Sequence, residues 1–171
     1  MLGVPQGKVC LVEYQQDWPA AFDAERARLS DALGHDVSIE HIGSTAVPDT
    51  ISKPLIDVMI GLPDIADHAA HIPRLETLGY TYRGEYGIPD RHFFTLGDPT
   101  THHVHMVAHG EHFWRLNLLF RDHLRNNADA RERYVAEKKR LGDVHADDRA
   151  QYTKGKDGII RAILAEAGWR E

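Results

Sequence analysis

Cysteine is nearly absent: Cys10 is the only one in 171 residues. A single thiol cannot close an internal disulfide, and it cannot supply a thiolate pair to a metal. Cys10 is therefore expected to be a small, buried or half-buried apolar residue. Long apolar runs are absent as well. No stretch approaches the roughly 18 residues of a membrane span, and residues 1–8 lack the apolar segment of a signal peptide. These absences lead to the expectation of a cytoplasmic protein without a membrane partner. Excess positive charge is missing too, with 20 Lys and Arg against 26 Asp and Glu, a net charge of −6 with histidine neutral. An extended nucleic-acid surface needs clustered Lys and Arg. None is expected here, although a local basic pocket stays open. Internal repeats and low-complexity linkers are also lacking. What remains is ordinary for a globular chain, 42% hydrophobic and 27% charged, with 12 histidines as the one oddity. This length can bury an apolar core, and one domain over residues 1–171 is expected.

Residues 8–14 read as a short strand or extended lead-in. Asp17 sits where an N-cap belongs, with Trp18, Pro19 and Ala20 opening a helix. Trp18, Phe22, Leu29 and Leu33 fall near helical spacing, and Gly34 is placed to stop it. Residues 37–42 read as a strand running into the small-residue turn Gly43-Ser44-Thr45-Ala46-Val47-Pro48. Residues 55–62 are apolar almost throughout, as expected of a central strand covered on both faces. Residues 64–78 read as a helix stopped by Gly79. Strands are expected over 80–83, 92–96 and 103–107, with a loop over 84–90. Phe113, Leu116, Phe120 and Leu124 mark one helical face. Residues 129–141 read as a charged helix with few apolar anchors. Asp147 or Asp148 could cap a last helix in which Tyr152, Ile159, Ile163 and Ala167 share a face. The class expected is α/β (α+β), a mixed sheet flanked by helices with a helical C-terminal third.

Asp57 is the one charge in its apolar strand. An ionised carboxylate there is costly unless it is paired, hydrogen-bonded or bound to metal. Lys53, Arg91 and Arg121 are the candidate ion-pair partners, against a role in a site. Gly43 lets the backbone pass close to another group, and Ser44 and Thr45 set hydroxyls beside backbone N–H donors that can hold a phosphate. A bare Gly-Ser turn is common, and the Asp57 strand thirteen residues on is what raises its interest. His103 and His105 are two apart and share a strand face. With Asp57 they form a candidate metal set, or one of them a general base near neutral pH. His102 faces the other way and is read as solvated. His41 is read as a hydrogen-bonded core histidine fixing the loop. Lys53, Arg91 and Arg121 are candidate anion contacts. Arg125 is read as solvated, although it shares a helix face with Arg121 and would reach the Gly43 cleft if that face covers the sheet. Lys138, Lys139, Lys154 and Lys156 are read as solvated helix charges, and Tyr134 and Tyr152 as core or lid packing.

A strand ending in Gly-Ser, followed by a carboxylate in the next apolar strand, resembles the nucleotidyltransferase superfamily. The fuller likeness is to its GrpB branch. It is carried by Ile39-Glu-His-Ile-Gly-Ser-Thr-Ala-Val-Pro48 and Lys53-Pro-Leu-Ile-Asp57. Leu78-Gly-Tyr80, Arg91-His-Phe-Phe94, His103-Val-His105 and Leu119-Phe-Arg-Asp122 continue it. Tyr134, Lys138, Tyr152 and Lys156 complete it, so that it spreads over nearly the whole chain. The resemblance implies a nucleotidyltransferase-like core, with the nucleotide's phosphates at Gly43, Ser44 and Thr45 and divalent metal on strand carboxylates. It implies no settled activity. Active superfamily members place a second carboxylate two residues on, where this chain has Met59. One aspartate is too few for a two-metal site built on hard, octahedral Mg²⁺. The His103–His105 strand is the natural candidate for the missing ligands, and imidazole favours Zn or Mn over Mg.

Three readings follow. The first is a nucleotide- or phosphate-ligand protein with divergent nucleotidyl or phosphoryl transfer. In it Asp57, His103 and His105 hold metal or move a proton, and Lys53, Arg91 and Arg121 stabilise negative charge. The second is an inactive nucleotide-binding module. The third is a metal-dependent hydrolase using His103, His105 and Asp57.

Overall fold

The structure is a computed structural model and describes residues 1–5 and 7–170. Helix α1 spans Trp18–Leu33 and buries Trp18, Phe22, Glu25, Leu29 and Leu33. That spacing is a single stripe of a helix. Asp17 holds the N-cap position, but its side chain makes no capping hydrogen bond, so Pro19 in the first turn carries the start signal. Gly34 ends the helix at φ 93°.

The main sheet has five strands. β2 (Ser38–Ile42), β4 (Ile56–Leu62), β5 (Thr81–Tyr82), β6 (His92–Leu96) and β7 (His102–Ala108) lie in the order β2-β4-β7-β6-β5. Within it β4 and β7 run parallel, and the other neighbours are antiparallel. The sheet is therefore mixed, as expected. β4 sits between two partners, which suits a strand apolar on both faces. Its Ile56, Val58, Ile60 and Leu62 join Val104, Met106, Phe94 and the α1 stripe in the largest core cluster. Leu75 of helix α2 (His68–Thr77) and Tyr80 complete that layer. Inside it Tyr80 donates to the buried Glu25 carboxylate at 2.8 Å, and Arg28 pairs with the same carboxylate at 2.6 Å, so the acid is satisfied.

The opposite face is divided. At one end Met59 packs with Ile42, Val107 and Trp114 of helix α3 (His112–Asn126). At the other end His103 meets Arg149 of helix α5 (Arg149–Gly155), which with α4 (Ala128–Val144) and α6 (Asp157–Glu166) forms a different layer, while the His105 ring stacks on Phe113 of α3 at 5.8 Å. Leu124 of α3, Ala130 and Tyr134 of α4 and Ile163 of α6 form a second core with Val47 of the Gly-Ser turn. Among the described residues no helix is long and apolar enough to cross a membrane.

Three expectations are corrected. Residues 8–14 form a strand only at β1 (Val12–Glu13), because its partner β3 (Ile51–Ser52) offers two residues of ladder. Cys10 is exposed rather than buried, whereas its neighbours Leu11, Val12 and Tyr14 are half-buried against Gly142 and the main core. The expected last helix is two, α5 and α6, broken at Lys156. Gly155 lies against Leu141, where a Cβ would come within 2.5 Å of Leu141 Cδ2. The break lets Tyr152 and Ile163 both be buried, on different helices.

Gly61 of β4 shows how tightly α3 is seated. A Cβ there would lie 2.7 Å from Trp114 Cζ3 and 3.0 Å from His109 Cδ2. Gly61→Ala is expected to destabilise the chain by about 1–3 kcal/mol through overpacking, read as a lower urea midpoint with an unchanged slope.

Candidate functional site

β2 ends at Ile42, and the chain turns through Gly43 into a short 3₁₀ segment, Ser44–Ala46. Gly43 adopts φ 71°, and a Cβ there would lie 2.6 Å from Asp57 Oδ2. Only glycine allows both the backbone conformation and the close approach to the carboxylate. The turn is fixed from behind. His41 and Thr45 are buried, with His41 Nε2 3.0 Å from Thr45 Oγ1 and the ring stacked on Phe22 at 4.6 Å. His41 is thus a hydrogen-bonded core histidine, and burial, reinforced by the charges of Arg125 and Arg121, lowers its pKa to about 4. The Thr45 hydroxyl faces this histidine. Ser44 Oγ faces the other side and accepts a 2.7 Å hydrogen bond from Lys138 Nζ.

Parallel pairing of β4 with β7 sets Asp57 opposite His103 and Met59 opposite His105. Odd-numbered residues share the face, so both rings point at Asp57. His103 Nδ1 is 3.0 Å and His105 Nε2 3.5 Å from Asp57 Oδ1. The Asp57 side chain is half-buried and pairs with these rings, not with Lys53, Arg91 or Arg121. Burial pushes its carboxyl up, but the hydrogen bonds from His103 and His105 outweigh that and hold it well below the usual range. Burial also keeps His105 below its ordinary value. Hydrogen bonding from the two rings, ahead of their charge, therefore keeps Asp57 ionised.

Four cations gather on this side of the sheet, two of which, Lys53 and Lys138, feel the Asp57 charge. Lys138 is 2% exposed, and its ammonium also donates to the Ile51 carbonyl. Lys53 and Lys156 lie over the ring of the buried Tyr152 at 5.9 and 4.9 Å. Arg149 Nη2 is 3.2 Å from His103 Nε2. None of the four makes an ion pair with a carboxylate among the described residues, whereas arginines 121, 125, 131, 133 and 140 do. Burial, then Arg149 and Lys156, pulls Lys53 down to about 7. Burial, then Lys156 and Lys53, pulls Lys138 well below the normal lysine range. Burial first, and the neighbouring cations second, press these two amines towards neutrality.

Two expected cations lie elsewhere. Arg121 is bound to Glu40 and Asp122, both at 2.7 Å, and to the His41 carbonyl, because α3 packs its face on β2 and not over Asp57. Arg91 donates to the Glu85 and Tyr86 carbonyls and lies over Phe93 at 4.8 Å, where it holds the 84–90 loop. Arg125, read as solvated, donates to the Ala46 carbonyl and braces the back of the turn. His102 faces the other way as expected, but it is half-buried.

The residues that sequence reasoning misplaced are Lys138 and Lys156, and Arg149 was not singled out. Lys138 had a signal. The buried residues of α4 are Ala130, Tyr134, Lys138 and Leu141, so the lysine occupies the apolar stripe. Arg149 had none, since its place depends on the break between α5 and α6.

The sequence profile described as "GrpB protein" matches residues 8–166. The chain belongs to the GrpB family. It is 38% identical over 165 residues to the "UPF0157 protein YqkA" of Bacillus subtilis, an alignment that covers 95% of this chain and 48% of that protein. It thus spans about half the length of that relative. The crystal structure of GrpB from Enterococcus faecalis superposes with a TM-score of 0.85 at 34% identity, over 92% of this chain and 96% of that one. A structure of the Cid1 poly(U) polymerase superposes with a TM-score of 0.54 at 14% identity, over 85% of this chain and 49% of that chain. The last likeness shows the fold alone, which is nucleotidyltransferase-like.

His41 gives a pH-dependent prediction. The unfolded chain binds its proton near 6.5, and the folded GrpB protein only near 4. The folded state therefore loses stability as pH falls through that window, by about 3 kcal/mol from this group. His41→Gln keeps a hydrogen-bonding side chain but cannot titrate. Its urea-unfolding stability is expected to fall less than wild type between those two pH values, and equal losses would contradict the assignment.

Proposed function

We propose that this chain binds a nucleotide or another phosphorylated small molecule, with the phosphates on Ser44 and the surrounding cations. The observation that carries this reading is the grouping of Lys138 on Ser44, Lys53 and Lys156 over Tyr152, and Arg149 on His103, none of them ion-paired among the described residues. Surface lysines are normally solvated or paired, and buried ones are costly unless they are compensated. An anion would compensate all four together. Ser44 Oγ, already oriented by Lys138, would add a hydroxyl donor, and Gly43 lets the turn lie against Asp57. The nucleotidyltransferase-like fold makes a nucleoside triphosphate the natural first ligand to try.

Asp57, His103 and His105 fit a divalent metal. Their donor atoms all lie within 4.8 Å of one another. Two imidazoles and one carboxylate suit Zn or Mn better than Mg. When bound, such an ion would neutralise charge on phosphate oxygens during phosphoryl or nucleotidyl transfer. The chain's own part is to hold the phosphates with Lys138, Lys53 and Lys156, to orient them through Ser44, and to keep Asp57 ionised beside them.

One observation favours a binding module without turnover. Met59, where a second carboxylate would stand, is fully buried against Trp114, Ile42 and Val107. That position belongs to the α3 core and has no room for another metal ligand.

The two readings separate in thermal melts against a nucleotide panel, run with Mn²⁺, with Zn²⁺ or with chelator. A ligand at about 100 times its Kd adds about 2.7 kcal/mol, a rise of roughly 5–10 °C for a chain of this size. The expected result is such a rise with at least one nucleotide, lost in Lys138→Met. Dependence on metal, abolished in Asp57→Asn, supports transfer chemistry, and persistence in chelator supports the module. No rise with any nucleotide or phosphate compound would overturn both.

A further inference from the structure

His103 is held between two groups of opposite character. Its Nδ1 faces Asp57 Oδ1 at 3.0 Å, and its Nε2 faces Arg149 Nη2 at 3.2 Å. A guanidinium only donates hydrogen bonds. Nε2 must therefore be the acceptor, which leaves the ring proton on Nδ1, directed at the carboxylate. Arg149, His103 and Asp57 form a one-directional chain of donors.

Metal binding at the same cluster needs the reverse. To ligate beside Asp57 and His105, His103 must present a lone pair at Nδ1, with its proton on Nε2. A metal-bound histidine normally gives that outer N–H to a carboxylate, a carbonyl or water. Here it would meet the N–H of Arg149, donor against donor. The three ligand atoms are well placed, and the group behind one of them is the wrong kind.

We propose that Arg149 is a latch that fixes His103 in the tautomer unable to bind metal, and that an oxyanion in the cation pocket releases it. The second half rests on the phosphate reading above. Arg149 makes no ion pair with a carboxylate among the described residues, and its charge is felt at Lys53 nearby. Guanidinium favours bidentate contact with phosphate. An oxyanion that drew Arg149 off Nε2 would give that nitrogen an acceptor in place of a donor. The lone pair at Nδ1 would then turn to Asp57 and His105. The order of loading is anion first, metal second. Arg149 is here a positioning residue, acting through His103.

Two measurements on the full chain test the latch. The first is the nitrogen chemical shifts of the His103 ring in metal-free protein, which report its tautomer. Wild type is expected to show Nδ1–H, held by Asp57 on one side and Arg149 on the other, and Arg149→Met combined with Asp57→Ala, which removes both partners, to move towards Nε2–H. The second is Zn²⁺ affinity by competition with a chelating dye. Loss of an outer partner usually changes metal affinity by about 10–100-fold, commonly as a weakening. Here Arg149→Met is expected to tighten Zn²⁺ binding by about tenfold or more. Arg149→Gln, whose amide oxygen can accept from Nε2–H, should do the same, and adding Asp57→Asn should abolish it. Equal Zn²⁺ affinity in both variants, or a wild-type ring with its proton on Nε2, would overturn the latch. Sulfate, which does not chelate Zn²⁺ appreciably, is the probe for release. It should tighten Zn²⁺ binding in wild type and not in Arg149→Met. If sulfate has no effect while both variants bind tighter, the latch stands and its release by an anion fails, whereas the phosphate reading falls only if the nucleotide melts also show no rise.

Discussion

The amino group of Lys138 is buried and makes no ion pair among the described residues, although the charge of Asp57 reaches it against those of Lys156 and Lys53, and much of the structure is arranged around it. Taking an ammonium out of water costs several kcal/mol unless it is compensated. The chain offers the Ser44 hydroxyl and the Ile51 carbonyl, two neutral acceptors, and adds Lys53 and Lys156 nearby. That combination is poor for stability on its own. It is coherent for a pocket that waits for an anion, because each amine pressed towards neutrality can regain its proton when negative charge arrives.

The fold explains how these groups meet. Lys53 and Asp57 lie on the segment that enters β4, and His103 and His105 come from β7, its parallel neighbour. Ser44 comes from the turn after β2, which passes Asp57 only because Gly43 has no side chain. Lys138 and Arg149 come from α4 and α5, which cover this end of the sheet. The other end of the same face is closed by α3 on Met59. One face of one sheet thus holds both a polar pocket and an apolar seal, two residues apart along β4.

Much of this was legible beforehand. The periodicity of α1, the unbroken apolar run of β4 and the two-residue spacing of His103 and His105 each have one simple structural meaning, and each stood. The Asp57 cluster followed once β4 and β7 were neighbours, which a resemblance supplied and periodicity could not. Charge was the poor guide. Arg121 and Arg91 looked like free cations in the sequence, yet they hold Glu40, Asp122 and two loop carbonyls. Lys138 looked solvated among the charges of α4, yet it lies on that helix's buried stripe. A charged side chain is assigned by its partners, and partners far apart in sequence are fixed only by the packed structure.

The central claim is that the cation pocket takes up a polyanion, and proton linkage tests it most directly. Calorimetric titration of a nucleoside triphosphate near pH 8, in buffers of different ionisation enthalpy, counts protons exchanged on binding. The free ligand's phosphates are already ionised there, and Lys53, at about 7, is largely neutral. Bound negative charge must raise it. The account predicts binding with net proton uptake, smaller in Lys53→Met. Absence of binding, or binding without proton uptake, would contradict it.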